Sequence, residues 1–240
     1  MVVKGERKSM RTKWKEEKAR MQGMTRKEKL DHLWTYYKEF LWIAGVILLL
    51  LVGFICSGIN MLFRENIVTG MMVNISFDQR GYNYLESGYH EKIGAREYWD
   101  KVKLEYMAFD PVQELAGDEQ SYYASMAVIN EVSARILDYI ILDKPAMEYY
   151  ITQDVYMDLR EFFTQEELDQ FAAEDRLVYA QEEGSEDKWV IAVEITDIPF
   201  IQDNLKSDSR VYFALAGNTE KLVICRDMWQ HILDWPGHGK

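Results

Sequence analysis

The residues of this chain with the widest chemical reach are its four histidines, its two cysteines and its 40 Asp and Glu side chains. Histidine and cysteine hold metals or serve as bases and nucleophiles, but only when the chain brings several of them together. His32, His90, His231 and His238 are scattered, and His90-Glu91 lacks the second His, four residues on, that a metalloprotease helix requires. No serine sits in a Gly-x-Ser-x-Gly elbow, and neither a glycine-rich phosphate loop nor a calcium loop is present. The carboxylates are numerous enough to furnish an acid–base pair, yet no spacing sets any two apart from a solvated acidic surface. No catalytic residue, metal ligand or cofactor is therefore expected, and the chain reads as a non-enzyme. Aromatic rings offer a different chemistry, since they stack on sugars or hold peptides when they line a cleft. Tyr82, Tyr84 and Tyr89 are the candidates for ligand contact, because they lie in a polar, Gly-bearing segment. The pair Phe162-Phe163, beside Leu159, reads as core instead.

The elements that must position these residues are divided by one apolar run. Phe40–Phe63 contains no charged residue. As a helix it is about 36 Å long, and the hydrocarbon core of a bilayer is about 30 Å thick. Residues 1–39 carry 12 Lys and Arg against 6 Asp and Glu, whereas residues 64–240 carry 16 against 34. Positive charge beside one end of a span marks the cytoplasmic side. The chain is thus expected to divide into a basic cytoplasmic tail and juxtamembrane segment (1–39), a transmembrane helix (40–63) and an extracytoplasmic domain (64–240). The predicted location is the cell membrane, single-pass, with the N-terminus inside.

Two other fates of the run are disfavoured by particular residues. A secretory signal has a shorter apolar region and a small-x-small cleavage site, whereas Ile59-Asn60-Met61-Leu62-Phe63 offers none. A lipidated cysteine normally follows a small residue, and Cys56 follows Ile55. Cys225 has no partner within its own domain, so no disulfide is expected there. A domain of this size can bury a core without one. So few cysteines suggest a bacterial, Gram-positive type of surface protein. The tail up to Met24 is too polar to fold alone, although Lys13–Arg20 could lie on the membrane with Trp14 as an anchor. It is also too short a basic patch, without a folded reader, to predict nucleic-acid binding. Met21 and Met24 are alternative start positions. From Met24 to Glu39 the apolar residues Leu30, Leu33, Trp34 and Tyr37 recur at helical spacing, one face of an amphipathic helix entering the membrane.

Beyond Arg64 the periodicity alternates between the two types of regular structure. Strands are expected at Ile67–Phe77, at Val102–Ala108 (halted by Asp110-Pro111), at Tyr139–Leu142, at Arg176–Ala180 and Lys188–Ile195 around an acidic turn, and at Val211–Leu215. Helices are expected at Tyr82–Ile93, Ser121–Leu137, Ala146–Ile151 and Gln165–Ala173. Thr164 and Glu167 supply a capping box for the last of these. Ala216-Gly217-Asn218-Thr219 opens a final helix to about Leu233, and Pro236–Lys240 reads as a frayed end. The fold class is α/β, with a mixed sheet.

The order of Leu137-Asp138-Tyr139-Ile140-Ile141-Leu142-Asp143-Lys144, a short helix and Asp154-Val155-Tyr156-Met157-Asp158-Leu159 resembles extracytoplasmic solute-binding proteins of ABC transporters, the type 2 periplasmic-binding fold. Ile195-Thr196-Asp197-Ile198-Pro199-Phe200 is similar to the family's return strand, and Val211–Leu233 to its late strand and packing helix. The resemblance implies a reduced form of that fold, because full members have two lobes and are longer than residues 64–240. Members are usually lipoproteins or secreted, so the transmembrane helix is a departure; taken with it, the resemblance implies a membrane-anchored, solute-binding-like module that could be accessory to transporter subunits. An envelope interaction scaffold without a pocket is the alternative, with a surface hydrolase behind it. For the topology, a membrane-impermeant thiol reagent should label a Cys introduced near Lys240 in intact cells, above the signal of the parent chain. Labelling only after lysis would reverse the orientation.

Overall fold

The computed structural model describes residues 18–19, 23–63, 65–96, 100–181 and 187–237, with backbone alone at 32–33, 36–37, 40–41, 60–63 and 65. The surface helix expected around Trp14, Met21, His238 and most of the acidic turn 182–186 lie outside the described residues. The chain divides into two compact units, Met1–Phe63 and Arg64–Lys240.

The first unit is dominated by one helix, α1 (Arg26–Phe63). Thr25 starts it: the Thr25 backbone N–H donates to Glu28 Oε2 at 2.8 Å, which satisfies one of the orphan donors at the helix start. The amphipathic stretch and the apolar run therefore form a single element. Within it Trp42–Ile59 is long and apolar enough to cross a membrane. Its large side chains, among them Leu49 and Phe54, are exposed.

The second unit is built on a six-stranded sheet in the order β2-β1-β3-β6-β5-β4. Its strands are β1 (Glu65–Val73), β2 (Asp100–Met107), β3 (Tyr139–Asp143), β4 (Leu177–Gln181), β5 (Lys188–Glu194) and β6 (Val211–Leu215). β1 runs parallel to β2 on one side and to β3 on the other, while β6, β5 and β4 add antiparallel pairs. Side chains alternate across the sheet as the pleat demands. Val68 and Met72 join Ile141 and Phe213 in one cluster; Met71 and Val73 join Ile140, Leu142 and Ala214 in the other. β3 and β6 are buried along both faces, which explains their continuous apolar sequences.

The helices cover both faces. After β1 come α2 (Gln79–Asn83), a π-turn (Tyr84–Gly88) and α3 (Tyr89–Lys92). Leu85 and Tyr89 pack on the first face together with α7 (Gln165–Ala173), α8 (Pro199–Asn204) and α9 (Leu222–Leu233). After β2 come α4 (Pro111–Leu115) and α5 (Glu119–Ser133); with α6 (Lys144–Tyr150), helix α5 covers the second face. The chain leaves β1 toward β2 and then returns past β1 to β3, so crossovers of one hand place successive helices on opposite faces. Gly70 makes one close approach possible: Tyr139 lies across it, and a Cβ there would sit 2.2 Å from Tyr139 Cζ.

Three boundaries differ from expectation for identifiable reasons. β1 stops at Val73 because Asn74 adopts a left-handed φ of 61°, which no strand continues. Asp110-Pro111 begins a helix as well as ending a strand: Asp110 Oδ1 accepts from the Val112 N–H and Pro111 takes the first helical turn. The final helix starts only at Leu222, because Ala216–Thr219 is otherwise engaged. The Gly217 N–H donates to the Val155 carbonyl, Asn218 Nδ2 to Val132 and Thr219 Oγ1 to Asp138.

His231, on α9, is buried and stacks on Tyr84 with ring centroids 4.0 Å apart. Its Nε2 lies 3.0 Å from the Tyr84 carbonyl, which fits a neutral imidazole donating from Nε2. Burial holds its pKa below the ordinary value of 6.5. Protonation is therefore disfavoured in the folded state, so this contribution is complete above pH 6.5 and is lost as pH falls through the lower, folded-state pKa. The melting temperature should fall between about pH 7 and pH 5 more steeply for the parent than for His231→Phe. Parallel slopes would show that His231 is not the titrating group.

Candidate functional site

The parallel strands β1, β2 and β3 end side by side, and one side chain joins them. Asn74, just past β1, donates from Nδ2 to the Phe109 carbonyl at 2.6 Å and lies 3.2 Å from both Asp143 carboxylate oxygens. In return the Phe109 N–H donates to Asn74 Oδ1 at 2.7 Å. The Asn74 N–H donates to the Met107 carbonyl at the end of β2. Asparagine tolerates the left-handed backbone better than most residues, so one residue type satisfies both the turn and the bridge.

Beside this bridge is a notch of about 250 Å³ lined by Asn74, Phe109, Asp110, Gln113, Asp118 and Ser121. In open α/β sheets the crevice beyond the carboxyl ends of the strands, where the connections diverge to opposite faces, is the usual ligand position. Here the divergence lies at β1. The local carboxylates already have work: Asp110, Asp118 and Asp143 each cap a helix, accepting from Val112, Ser121 and Ala146 backbone N–H groups. Burial raises the Asp143 pKa, opposed by the Ala146 N–H and the Asn74 amide. The notch can accept hydrogen bonds from an amide or cationic group. Among the described residues no side-chain hydrogen bond there joins the Ser121 hydroxyl to a carboxylate.

At the opposite ends of the strands lies a second polar centre. Asp138, 1% exposed, accepts from the Thr69 N–H at 2.8 Å, Thr219 Oγ1 at 2.8 Å and Lys221 Nζ at 3.2 Å. Lys221 Nζ also donates to the Asn66 carbonyl at 2.9 Å. With these partners the carboxylate is satisfied, and the cluster ties β1, β3 and the loop before α9 together.

Two larger recesses are open hollows. One, of about 700 Å³, lies between the π-turn and the start of β2 and includes Glu86, Ser87, His90, Asp100 and Lys101. Its polar groups close the sheet edge: Glu86 Oε1 accepts from the Leu104 N–H at 3.1 Å, and His90 Nε2 is 3.1 Å from the Asp100 carbonyl. Arg96 holds the Asp100 carboxyl well below its usual range, at about 2. The other, of about 460 Å³, is bordered by Phe162, Leu222, Val223 and Arg226. Among the described residues no three His, Cys, Asp or Glu side chains are placed to share a metal ion.

The tyrosines singled out from the sequence pack against the core, and none of them lines the three recesses described above. Tyr89 is buried, with its hydroxyl 3.3 Å from the Ile224 carbonyl. Tyr84 donates to the His231 carbonyl at 2.8 Å, and Tyr82 meets Phe77 edge-on at 6.3 Å. On a regular helix, residues five apart point about 140° away from each other. The π-turn, with its wider repeat, lets Tyr84 and Tyr89 both face inward. The carboxyl-edge residues were missed, although their signals are present: an Asn after an alternating strand, and Asp before Pro at both Asp110-Pro111 and Asp143-Lys144-Pro145. No protein-family model matches the chain, and neither a curated protein nor a solved structure matches it.

Asn74→Ala removes the bridging hydrogen bonds and leaves a β-carbon in the left-handed region, so it should destabilise the domain by about 3 kcal/mol. Asn74→Gly keeps the loss of the amide but relieves the backbone, and should be about 1 kcal/mol less severe. Denaturant midpoints of the two variants check this ordering. Equal stability of Asn74→Ala and parent would dismiss the bridge as a structural element.

Proposed function

We propose that the chain is a membrane-anchored interaction module, with α1 as a single N-in span and residues 64–240 displayed outside the cytoplasm. One observation carries this reading. Residues 64–240 form one compact unit around one sheet, and the recesses found among the described residues are open surface hollows. A partner gripped by such a surface is a macromolecule, and a transporter subunit in the same membrane is one class that fits. The anchor is supported by the uncharged run and its exposed apolar side chains, which water solvates poorly and lipid accepts. The direction of the span is supported by the excess of Lys and Arg before it.

Solute binding is the second reading, in the sense of a reduced relative of the solute-binding proteins. What favours it is the polar notch at the carboxyl ends of β1, β2 and β3. The two readings differ in a melting experiment on the full chain in detergent. A small ligand at a hundred times its Kd adds about 2.7 kcal/mol to the folded state. For a domain of this size that raises the melting temperature by roughly 5–10 °C. The interaction module should show no such shift with sugars, amino acids, short peptides or metal ions. A shift abolished by Asn74→Ala would establish the solute reading in its place.

A further inference from the structure

We propose that the exposed face of α4 and α5 is a docking surface for a positively charged segment of a partner protein. This rests on the interaction reading above and names the chemistry of the partner. α4 buries none of its residues; Val112 and Leu115, one helical turn apart, are 75% and 83% exposed. A turn at Gly117, whose φ of 88° suits only glycine, leads into α5, where Tyr122 and Tyr123 stand exposed with ring centroids 5.8 Å apart. Exposed apolar and aromatic groups on two helices that follow one another cost free energy in water and serve as anchors at interfaces.

Charge decides what covers them. From Met107 to Ala134 the chain has no Lys or Arg, while Asp110, Glu114, Asp118 and Glu119 fall within the same helices and turn. Among the described residues no salt bridge reaches any of these four, and the flanking cations are occupied. Lys103 pairs with Glu105, Arg135 with Glu220 and Lys144 with Glu148. A second copy is a poor occupant, because residues 64–240 carry 34 Asp and Glu against 16 Lys and Arg and the faces would repel. An anionic lipid surface is repelled in the same way. A segment with Lys or Arg beside apolar side chains matches both features: its cations meet the carboxylates and the tyrosine faces, and its apolar groups meet Val112 and Leu115. The face adjoins the notch at the carboxyl ends of β1 to β3, away from Asn66 and the start of β1.

The test uses the full chain in its own cells, with a photoreactive benzoylphenylalanine at Leu115, at Tyr123 or, as a reference on α9, at Val223, itself 83% exposed. Positions 115 and 123 should form adducts with one and the same polypeptide, and mass spectrometry of the joined peptide should give a net positive segment. Glu114→Lys with Glu119→Lys should lower the adduct yield by about tenfold at a temperature where the variant is fully folded, although the exchange also removes the hydrogen bond that Tyr149 donates to Glu114 Oε1. Adducts with a second copy, with lipid, or with a neutral or acidic segment overturn the proposal, as does a yield indifferent to the charge reversal. Adducts from Val223 alone overturn this surface and leave an interaction module standing. No adduct from any of the three positions overturns both.

Discussion

The carboxylate of Asp138 is a charge almost wholly removed from water, and a fold can keep such a charge only by surrounding it with donors. The donors come from the Thr69 backbone on β1, the Thr219 hydroxyl and the Lys221 ammonium. The partners come from β1 and from the loop before α9, and Asp138 itself leads into β3, so satisfying one side chain dictates how three stretches meet. The demand reaches further, since Lys221 also holds the Asn66 carbonyl and the Ala216 N–H donates to the Asp138 carbonyl. Removing any one donor would leave the others arranged around an under-compensated charge.

That centre divides the domain's ends into different kinds of surface. At the start of the parallel strands the polar groups are satisfied by one another and enclosed. Where these strands finish, Asn74 bridges them with a neutral amide and the carboxylates cap helices while still reaching solvent. The buried end fixes position, and the open end keeps its charge available. Edge protection follows the same economy: Glu86 and His90 occupy outward backbone groups of β2, blocking the edge against another strand.

How much of this is legible in the sequence depends on whether the controlling contact is local. The Thr164–Glu167 capping box lies within four residues and is present as expected. Val211–Leu215 is a strand with those same bounds, because an unbroken apolar run between polar segments leaves little choice. The length and composition of the apolar helix are equally plain. Tyr84 and Tyr89 escape because a π-turn is not written in hydrophobic periodicity, and their inward direction follows from it. The bridge at Asn74 escapes because its partners lie 35 and 69 residues away. Pairing of β3 with β6, across more than sixty intervening residues, is likewise a tertiary choice that no local pattern announces.

The position of β6 has a consequence for how the domain comes into being. It is the last strand among the described residues, yet it stands in the middle of the sheet, with β3 on one flank and β5 on the other. Until Val211–Leu215 has been delivered, β1 to β3 and β4 to β5 are two separate fragments, each with an unpaired apolar edge. Closing such long-range pairs is slow compared with forming local helices. A chain emerging from a ribosome or a translocation pore therefore cannot complete its sheet piecemeal. It must hold both fragments apart from other strands until the keystone arrives.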